Sequence, residues 1–152
     1  MPLHDDVTHL ILEVFRLNGS LLAAGDALVA DLGLTSARWQ ILGAIALSPT
    51  ALPVAHIARN MGLTRQAVQR LANELETTGL VRFAPNPHHQ RAKLVVLTDR
   101  GRTLYEKASA RQVPWAARLF EGLPSDSLKA ATTLLRTLRD RLDRQEGDPE
   151  HR

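Results

Sequence analysis

Between Pro53 and Val81 the chain reads PVAHIARNMGLTRQAVQRLANELETTGLV, a pattern that predicts two helices joined by a tight turn. The first helix has an apolar stripe at three- and four-residue spacing, formed by Val54, Ile57, Ala58 and Met61. Gly62 can adopt the positive φ that a sharp turn after a helix needs, and Thr64 is a good N-cap for the next helix. The stretch therefore predicts a helix-turn-helix whose second helix runs from about Thr64 to Thr78.

The second helix of this motif has two faces of different chemistry. Its apolar face predicts core packing through Val68, Leu71, Ala72 and Leu75. Its opposite face presents hydrogen-bond donors and no acid, namely Thr64 at the cap, Arg65, Gln66, Gln69, Arg70 and Asn73. Arg donates to guanine and Gln or Asn pairs with adenine, so this face is typical of a helix that enters the major groove of DNA. A solvated polar face is the alternative interpretation, because helix hairpins also occur in proteins that never bind nucleic acid.

Composition bounds the class of protein. With 152 residues, of which 44% are apolar and 4% aromatic, the chain is expected to form one domain, 1–152, with a mostly aliphatic core. The lack of cysteine excludes disulfides, thiolate metal sites and thiol-based oxidation sensors. The longest apolar run is far short of a membrane span and the start, MPLHDDV, does not resemble a signal peptide. We therefore expect a cytoplasmic protein with no membrane partner.

Positive charge is concentrated around the helix-turn-helix. From Arg59 to Arg102 there are eight Lys and Arg against three Asp and Glu, a local net of +5. From Met1 to Asp31 one basic residue stands against five acids, a net of −4. A polyanion is therefore expected to bind at the helix-turn-helix and not at the N-terminal segment.

A long first helix is predicted from about Asp5 to Leu32. Its apolar stripe runs through Leu10, Val14, Leu17 and Leu21 and is wider than one neighbouring element would cover. Gly19 and Gly25 favour a bend in this helix. The uncovered part of the stripe indicates a second partner.

A second helix is predicted from Ser36 to Leu47, with Thr35 as its N-cap. Trp39 lies on its apolar face, where a large ring usually belongs to the core, although it is also a candidate for lining a ligand cavity. Ser48 to Pro53 contains two prolines and is expected to be a loop.

A β-hairpin is predicted directly after the helix-turn-helix. Leu80–Ala84 and Lys93–Leu97 are short runs with β-branched residues, and the connector between them holds two prolines and an Asn. A hairpin in this position is a wing. Its exposed loop presents His88, His89, Gln90 and Arg91, of which Arg91 is the expected minor-groove residue.

Two more helices complete the chain. Thr98 is the predicted N-cap of the first, which Pro114 is expected to kink or interrupt. The last begins near Ser125 and has an apolar stripe of near-heptad spacing, formed by Leu128, Ala131, Leu135, Leu138 and Leu142. Apolar stripes at both ends of the chain predict a joint surface for a twofold partner. The tail from Arg144 is expected to be disordered.

With its elements in this order, the chain resembles the MarR (multiple antibiotic resistance regulator) family of winged-helix transcription factors over nearly its whole length. Besides the helix-turn-helix, the resemblance rests on Leu34-Thr35 with Trp39 and Leu42, and on Arg91 followed by Leu97-Thr98 and Gly101. The family pattern has an aspartate two residues before this arginine, where the chain has His89, and many members have Asp-Pro where it has Asn86-Pro87. Both replacements make the wing more positive, which should strengthen its contact with phosphate.

The resemblance implies a mainly α fold with a small β-hairpin wing, in which 35–98 form the winged helix-turn-helix lobe and 5–32 and 99–146 the dimerisation helices. It implies a homodimeric transcriptional regulator, usually a repressor, that binds pseudo-palindromic double-stranded promoter DNA. Candidate dimerisation residues are Leu10, Val14, Leu17, Leu128, Leu135, Leu138 and Leu142. It also implies a small anionic or phenolic effector that binds between the dimerisation helices and the lobe and releases the DNA. Trp39 and Trp115 are the candidate residues of that effector pocket.

Three other functions are alternatives to this one. An enzyme is disfavoured because the chain has no Gly-rich phosphate loop, His-Glu-x-x-His motif, nucleophile elbow or cysteine nucleophile, and no cofactor is expected. A metal-responsive regulator of the same fold is suggested by the six histidines, but their spacing does not converge with carboxylates. A winged-helix module that binds protein partners or RNA is disfavoured by the donor-rich face of the recognition helix.

Overall fold

The computed structural model describes residues 2–146 and shows a mainly α fold with one small sheet, which confirms the predicted fold class. In chain order the elements are α1 (Pro2–Val29), a 3₁₀ turn (Ala30–Leu32), α2 (Ser36–Ala46), β1 (Leu52–Pro53), α3 (Val54–Met61), α4 (Arg65–Thr77), β2 (Val81–Ala84), β3 (Leu94–Leu97), α5 (Asp99–Leu119) and α6 (Ser125–Glu146). The chain divides between Val113 and Pro114 into two compact units.

The core of the first unit is aliphatic, as the composition predicts. Side chains from α2, α3, α4 and the sheet form it, with Ile41, Leu42, Ile57, Val68, Leu75 and Val95 fully buried. Burial of each such side chain contributes about 1.5–3 kcal/mol to folding. Trp39 is half-buried and packs against this core.

The sheet has three strands in the order β1-β3-β2, all antiparallel. The hairpin of β2 and β3 is the predicted wing. The loop predicted from Ser48 to Pro53 is confirmed up to Ala51, but was wrong for Leu52–Pro53, which form β1. Leu52 pairs with Val95 and Pro53 with Leu94, which makes β1 an edge strand. A proline lacks the N–H of an inner strand but is tolerated at an edge.

Helix α1 is continuous past Gly19 and Gly25, and the bend expected near them stays a prediction, because a continuous helix can still curve. A close approach explains Gly25: its α-carbon lies against the Ser36 hydroxyl, and a β-carbon there would overlap that oxygen. Ser36 Oγ donates to the carbonyl of Leu22 at 2.7 Å, and its backbone N–H donates to Asp26 Oδ1 at 2.7 Å. These bonds join the start of α2 to α1.

The apolar stripe of α1 is largely uncovered in the single chain. Val14 is 39% exposed, Leu21 41% and Leu17 55%, and Leu10 is half-buried. By length and composition alone, Leu3–Leu32 is long and apolar enough to cross a membrane. This differs from the sequence-based expectation, which considered only uninterrupted apolar runs and found none long enough. A single such helix is weak evidence for a membrane span, because the core helix of a soluble protein and a signal sequence near the N-terminus meet the same criterion.

The second unit contains α6 and the end of α5. Pro114 does not interrupt α5, which continues to Leu119, so that part of the prediction was wrong. On α6, Leu128, Leu135 and Leu142 are exposed and Leu138 is half-buried. Helix α6 continues to Glu146, so the expectation of disorder was wrong for residues 144–146. The rest of that tail, 147–152, lies outside the described residues.

Candidate nucleic-acid interface

The turn between α3 and α4 has the backbone that its sequence predicts. Gly62 ends α3 with a φ of 65°, and the N–H of Leu63 donates to the carbonyl of Ala58 at 3.0 Å. Thr64 caps α4 by accepting a hydrogen bond from the N–H of Ala67 at 3.1 Å. The turn and the cap together fix the direction in which α4 leaves the core.

Helix α4 buries one face and exposes the other, as its sequence pattern predicts. The buried residues are Val68, Leu71, Ala72 and Leu75. The exposed ones are the donors Arg65, Gln66, Gln69, Arg70 and Asn73. The side-chain amide of Gln69 donates to Asn73 Oδ1 at 2.9 Å, so two of these donors also fix one another.

An open cleft of 1030 Å³ lies between α4 and the wing. It is lined by Pro53, Val54, Ala55, Arg65, Gln66, Gln69, Arg70, Asn73, Glu74, Thr77, Phe83, Arg91, Ala92 and Lys93. The structure therefore brings six of the predicted site residues together, five from α4 and Arg91 from the wing. Of the other predicted residues, Thr64, His88 and His89 are exposed beside the cleft-lining segments without lining the cleft. Gln90 lines a second, smaller cleft of 280 Å³ on the wing.

Sequence reasoning missed two charged residues of the cleft. Lys93 precedes β3 and adds a fourth cation to Arg65, Arg70 and Arg91. Its basic side chain beside the wing loop was the available signal. Glu74 is the second missed residue. It lines the cleft and so corrects the prediction that the polar face of the second helix of the motif presents no acid.

Glu74 is held by two guanidinium groups. Its Oε2 accepts from Nε and Nη2 of Arg38 on α2, at 3.3 and 3.1 Å, and its Oε1 accepts from Arg70 Nη1 at 3.0 Å. The hydrogen bonds from Arg38, helped by its charge and by Arg70, hold the pKa of Glu74 below its ordinary value, against the opposing effect of desolvation. The carboxylate therefore stays ionised inside the cleft at neutral pH.

The wing loop is ordered by Asn86. Its side-chain amide donates to the carbonyl of Ala92 at 2.8 Å, and its Oδ1 accepts from the N–H of His88 at 3.0 Å. A backbone bond from the N–H of His89 to the carbonyl of Asn86, at 3.3 Å, closes the turn. The loop is thus tied across its base by an asparagine, although His89 replaces the aspartate of the family pattern. The Asn-Pro pair at a turn was the sequence signal for this role.

The base of the wing is tied to the end of α4. Thr98 Oγ1 donates to the carbonyl of Gly79 at 2.7 Å and accepts from the N–H of Gly101 at 3.0 Å, so it caps α5 as predicted. Arg100 Nη1 donates to the carbonyl of Thr78 at 2.6 Å. These bonds fix the wing with respect to the recognition helix.

The candidate effector residues and the histidines do not form a site comparable to the cleft in the part of the chain that the structure describes. Neither of the two clefts described above is lined by Trp39 or by Trp115, which is half-buried in the second unit. Among residues 2–146, no three His, Asp or Glu side chains are grouped closely enough to hold a metal ion.

Comparison with known proteins places this geometry in a family. The family model described as "MarR family" matches residues 32–92, the lobe that contains α2, α3, α4 and most of the wing. An uncharacterized protein from Mycobacterium tuberculosis strain H37Rv is 37% identical over 134 residues, which cover 88% of this chain and 92% of that protein. The chain belongs to the MarR family.

Two better described relatives extend the match. The crystal structure of CouR from Rhodococcus jostii RHA1, bound to p-coumaroyl-CoA, is 27% identical with a TM-score of 0.77 and covers 86% of this chain and 91% of that one. The transcriptional activatory protein BadR from Rhodopseudomonas palustris is 29% identical over 99 residues, 64% of this chain and 57% of BadR.

Membership of the MarR family confirms the predicted family, the winged-helix fold and the expectation of a regulator without enzymatic activity. MarR-family regulators are soluble proteins that bind promoter DNA and act as dimers. This chain is accordingly a DNA-binding transcriptional regulator.

Proposed function

We propose that this MarR-family protein is a cytoplasmic homodimeric repressor that binds a pseudo-palindromic promoter site and is released by a small-molecule effector. The main support is the cleft between α4 and the wing, where four basic side chains and three amide side chains face solvent together. Basic groups neutralise phosphate, and the amides and guanidinium groups also bond to base edges.

In this proposal α4 enters the major groove. Arg65, Gln66, Gln69, Arg70 and Asn73 read base edges or bind phosphate there, and Thr64 binds phosphate at the helix N-terminus. The wing places Arg91 in the adjacent minor groove, with His88, His89 and Gln90 along the backbone. Two recognition helices of a symmetric dimer lie roughly 34 Å apart, one turn of the duplex.

Dimerisation uses the apolar stripes of α1 and α6. Leu17 and Leu142 are more than half exposed in the single chain, and side chains of this size are rarely left so open along a whole helix. Burying these stripes against a second copy removes the apolar surface from water and sets the spacing of the two recognition helices.

The effector is proposed to be anionic or phenolic, with Trp39 and Trp115 as pocket residues. The relative CouR binds p-coumaroyl-CoA, a ligand that has both a phenol and anionic phosphates. Aryl-CoA thioesters are therefore the first class to screen, by thermal shift and then by release of bound DNA. A ligand that raises the Tm without releasing DNA would contradict the effector part of the proposal.

The sign of regulation is proposed as repression, because a dimer that covers a promoter excludes polymerase. BadR is described as an activator, so the sign needs its own assay. Transcription from the bound promoter in a purified system should fall when the protein is added. A rise in transcript would make the protein an activator and leave DNA binding intact.

The experiment for DNA binding is a mobility shift on the duplex immediately upstream of the coding sequence, repeated at increasing salt. A retarded band that survives competition by unrelated DNA is expected. Binding without any sequence preference would favour a protein-interaction or RNA-binding module. Binding that needs added metal, and is lost with a chelator, would favour the metal-responsive alternative.

A further inference from the structure

Glu74 is an acid in a cleft that otherwise attracts a polyanion. The cleft has four cations and this one carboxylate among its lining residues. A carboxylate at such a place opposes phosphate and lowers affinity for any DNA, whatever its sequence. Its presence therefore has to be explained by something other than general attraction.

The bonds of Glu74 show which DNA-facing group it controls. One carboxylate oxygen accepts both bonds from Arg38, which anchors the acid to α2. The other oxygen remains for Arg70, one turn earlier on the recognition helix. Arg38 and Glu74 are each about one-third exposed at their side chains (30% and 34%), whereas Arg70 is 66% exposed. Arg38 therefore anchors the carboxylate of Glu74, and the carboxylate in turn restrains the more exposed guanidinium of Arg70.

We propose that Glu74 is a specificity-determining residue, which withholds Arg70 from phosphates and yields it only to a base edge that offers paired hydrogen bonds. The inference rests on the proposed role of α4 in reading DNA. Phosphate attracts a guanidinium mainly through charge, and Glu74 balances the charge of Arg70, so Arg70 contributes little to phosphate binding while this bond is made. Its guanidinium has further N–H donors beside the one on Nη1 that bonds to Glu74, and these can donate to the two acceptors of a guanine, a contact that does not depend on net charge.

The test compares specific and non-specific binding. Wild-type protein first selects a duplex from a random-sequence library, and Kd is then measured on this duplex and on poly(dA-dT), which has no guanine edge, over a series of NaCl concentrations. For Glu74→Gln we expect about 3- to 10-fold tighter binding to poly(dA-dT) and a salt dependence steeper by about one unit, because one more cation is free for phosphate. Affinity for the selected duplex should change less, so the ratio of the two affinities falls.

Three further variants separate this role from a structural one. Glu76→Gln removes the same charge from the same helix outside the cleft and should leave the affinity ratio at the wild-type value. Glu74→Asp keeps a carboxylate and should restore most of the ratio. In an Arg70→Gln background, Glu74→Gln should lower the ratio no further, because the two residues act as one unit.

The outcomes are distinguishable from failure of the proposed function. If wild-type protein selects no duplex, sequence-specific binding itself is wrong. If it selects one and Glu74→Gln leaves the ratio unchanged, or weakens only the selected duplex, the proposal for Glu74 is overturned. A lower Tm of Glu74→Gln with an unchanged ratio also overturns it, since loss of the Arg38 link alone would produce that result.

Discussion

Gly101, in the first turn of α5, lies so close to the carbonyl of Leu80 that a β-carbon at position 101 would overlap the oxygen. Leu80 precedes β2, and Gly101 is buried there. This approach brings the start of α5 against the base of the wing, where Thr98 and Arg100 make their bonds to the end of α4. The glycine that follows Leu97-Thr98 in the family pattern is therefore needed because the carbonyl of Leu80 leaves no room for a side chain at position 101.

We expect Gly101→Ala to destabilise the protein by about 1–3 kcal/mol, the usual cost of forcing an extra methyl into a packed site. The backbone must move, because the atom that blocks the new methyl belongs to the main chain. Denaturant unfolding followed by circular dichroism measures the change. Gly43→Ala is the matched control: it is also a helical glycine, but its β-carbon would meet the Tyr105 ring at an ordinary 3.4 Å. That variant should be neutral or slightly more stable.

The wing loop should lose order when Asn86 is changed. Asn86→Ala removes the bond to the carbonyl of Ala92 and the bond from the N–H of His88. We expect faster hydrogen exchange at the His88 amide and weaker DNA binding, with only a small change in Tm, because the loop is exposed. Asn86→Asp keeps the acceptor and should leave the His88 amide protected. Equal exchange in both variants would mean that the prolines alone fix the loop.

Substitutions in the recognition helix and in the wing should change DNA binding in different ways. Arg70→Ala or Gln66→Ala is expected to cost about 1–3 kcal/mol on the selected duplex and to relax base preference, because base-edge contacts discriminate. Arg91→Ala should weaken binding more evenly across sequences. Parallel titrations on the selected duplex and on a scrambled one measure both effects. Equal losses on both duplexes for all three variants would contradict this division.

An ion pair between α5 and the 3₁₀ turn should make stability depend on pH. Arg111 donates to both carboxylate oxygens of Asp31 and to the carbonyl of Leu28, and its hydrogen bond holds the pKa of Asp31 below the ordinary value. A lowered pKa stabilises the fold above the unfolded-state pKa, and this contribution is lost as pH falls through the folded-state pKa.

Asp31→Asn should therefore be less stable than wild type at neutral pH, with a difference that shrinks in acid as Asp31 becomes protonated. Thermal unfolding over a pH series measures it. Glu106→Gln removes an exposed acid from the same helix as Arg111 and should show a smaller effect at neutral pH. A difference between Asp31→Asn and wild type that persists unchanged in acid would assign the loss to something other than the ion pair.

Local features of this fold were predictable from sequence, whereas features that join distant segments were not. The caps at Thr35 and Thr64 and the turn at Gly62 depend on a few consecutive residues, and the structure has all three. Strand β1 exists because Leu52 meets Val95, a partner that no local pattern identifies. The anchoring of Glu74 likewise depends on Arg38, which lies far from it in sequence and is brought close by the packing of α2 on α4.

The apolar stripes of the terminal helices give the last prediction. Leu17→Glu on α1 and Leu135→Glu on α6 should shift the protein from dimer to monomer in sedimentation velocity, because a charge in a buried interface is costly without a partner. DNA affinity should fall with dimerisation, since one half-site alone remains in contact. Leu47→Glu is the matched control, because Leu47 is 78% exposed and lies outside both helices. If all three variants stay dimeric, the subunits meet elsewhere on the chain, and if Leu47→Glu alone becomes monomeric, the interface includes the DNA-binding lobe.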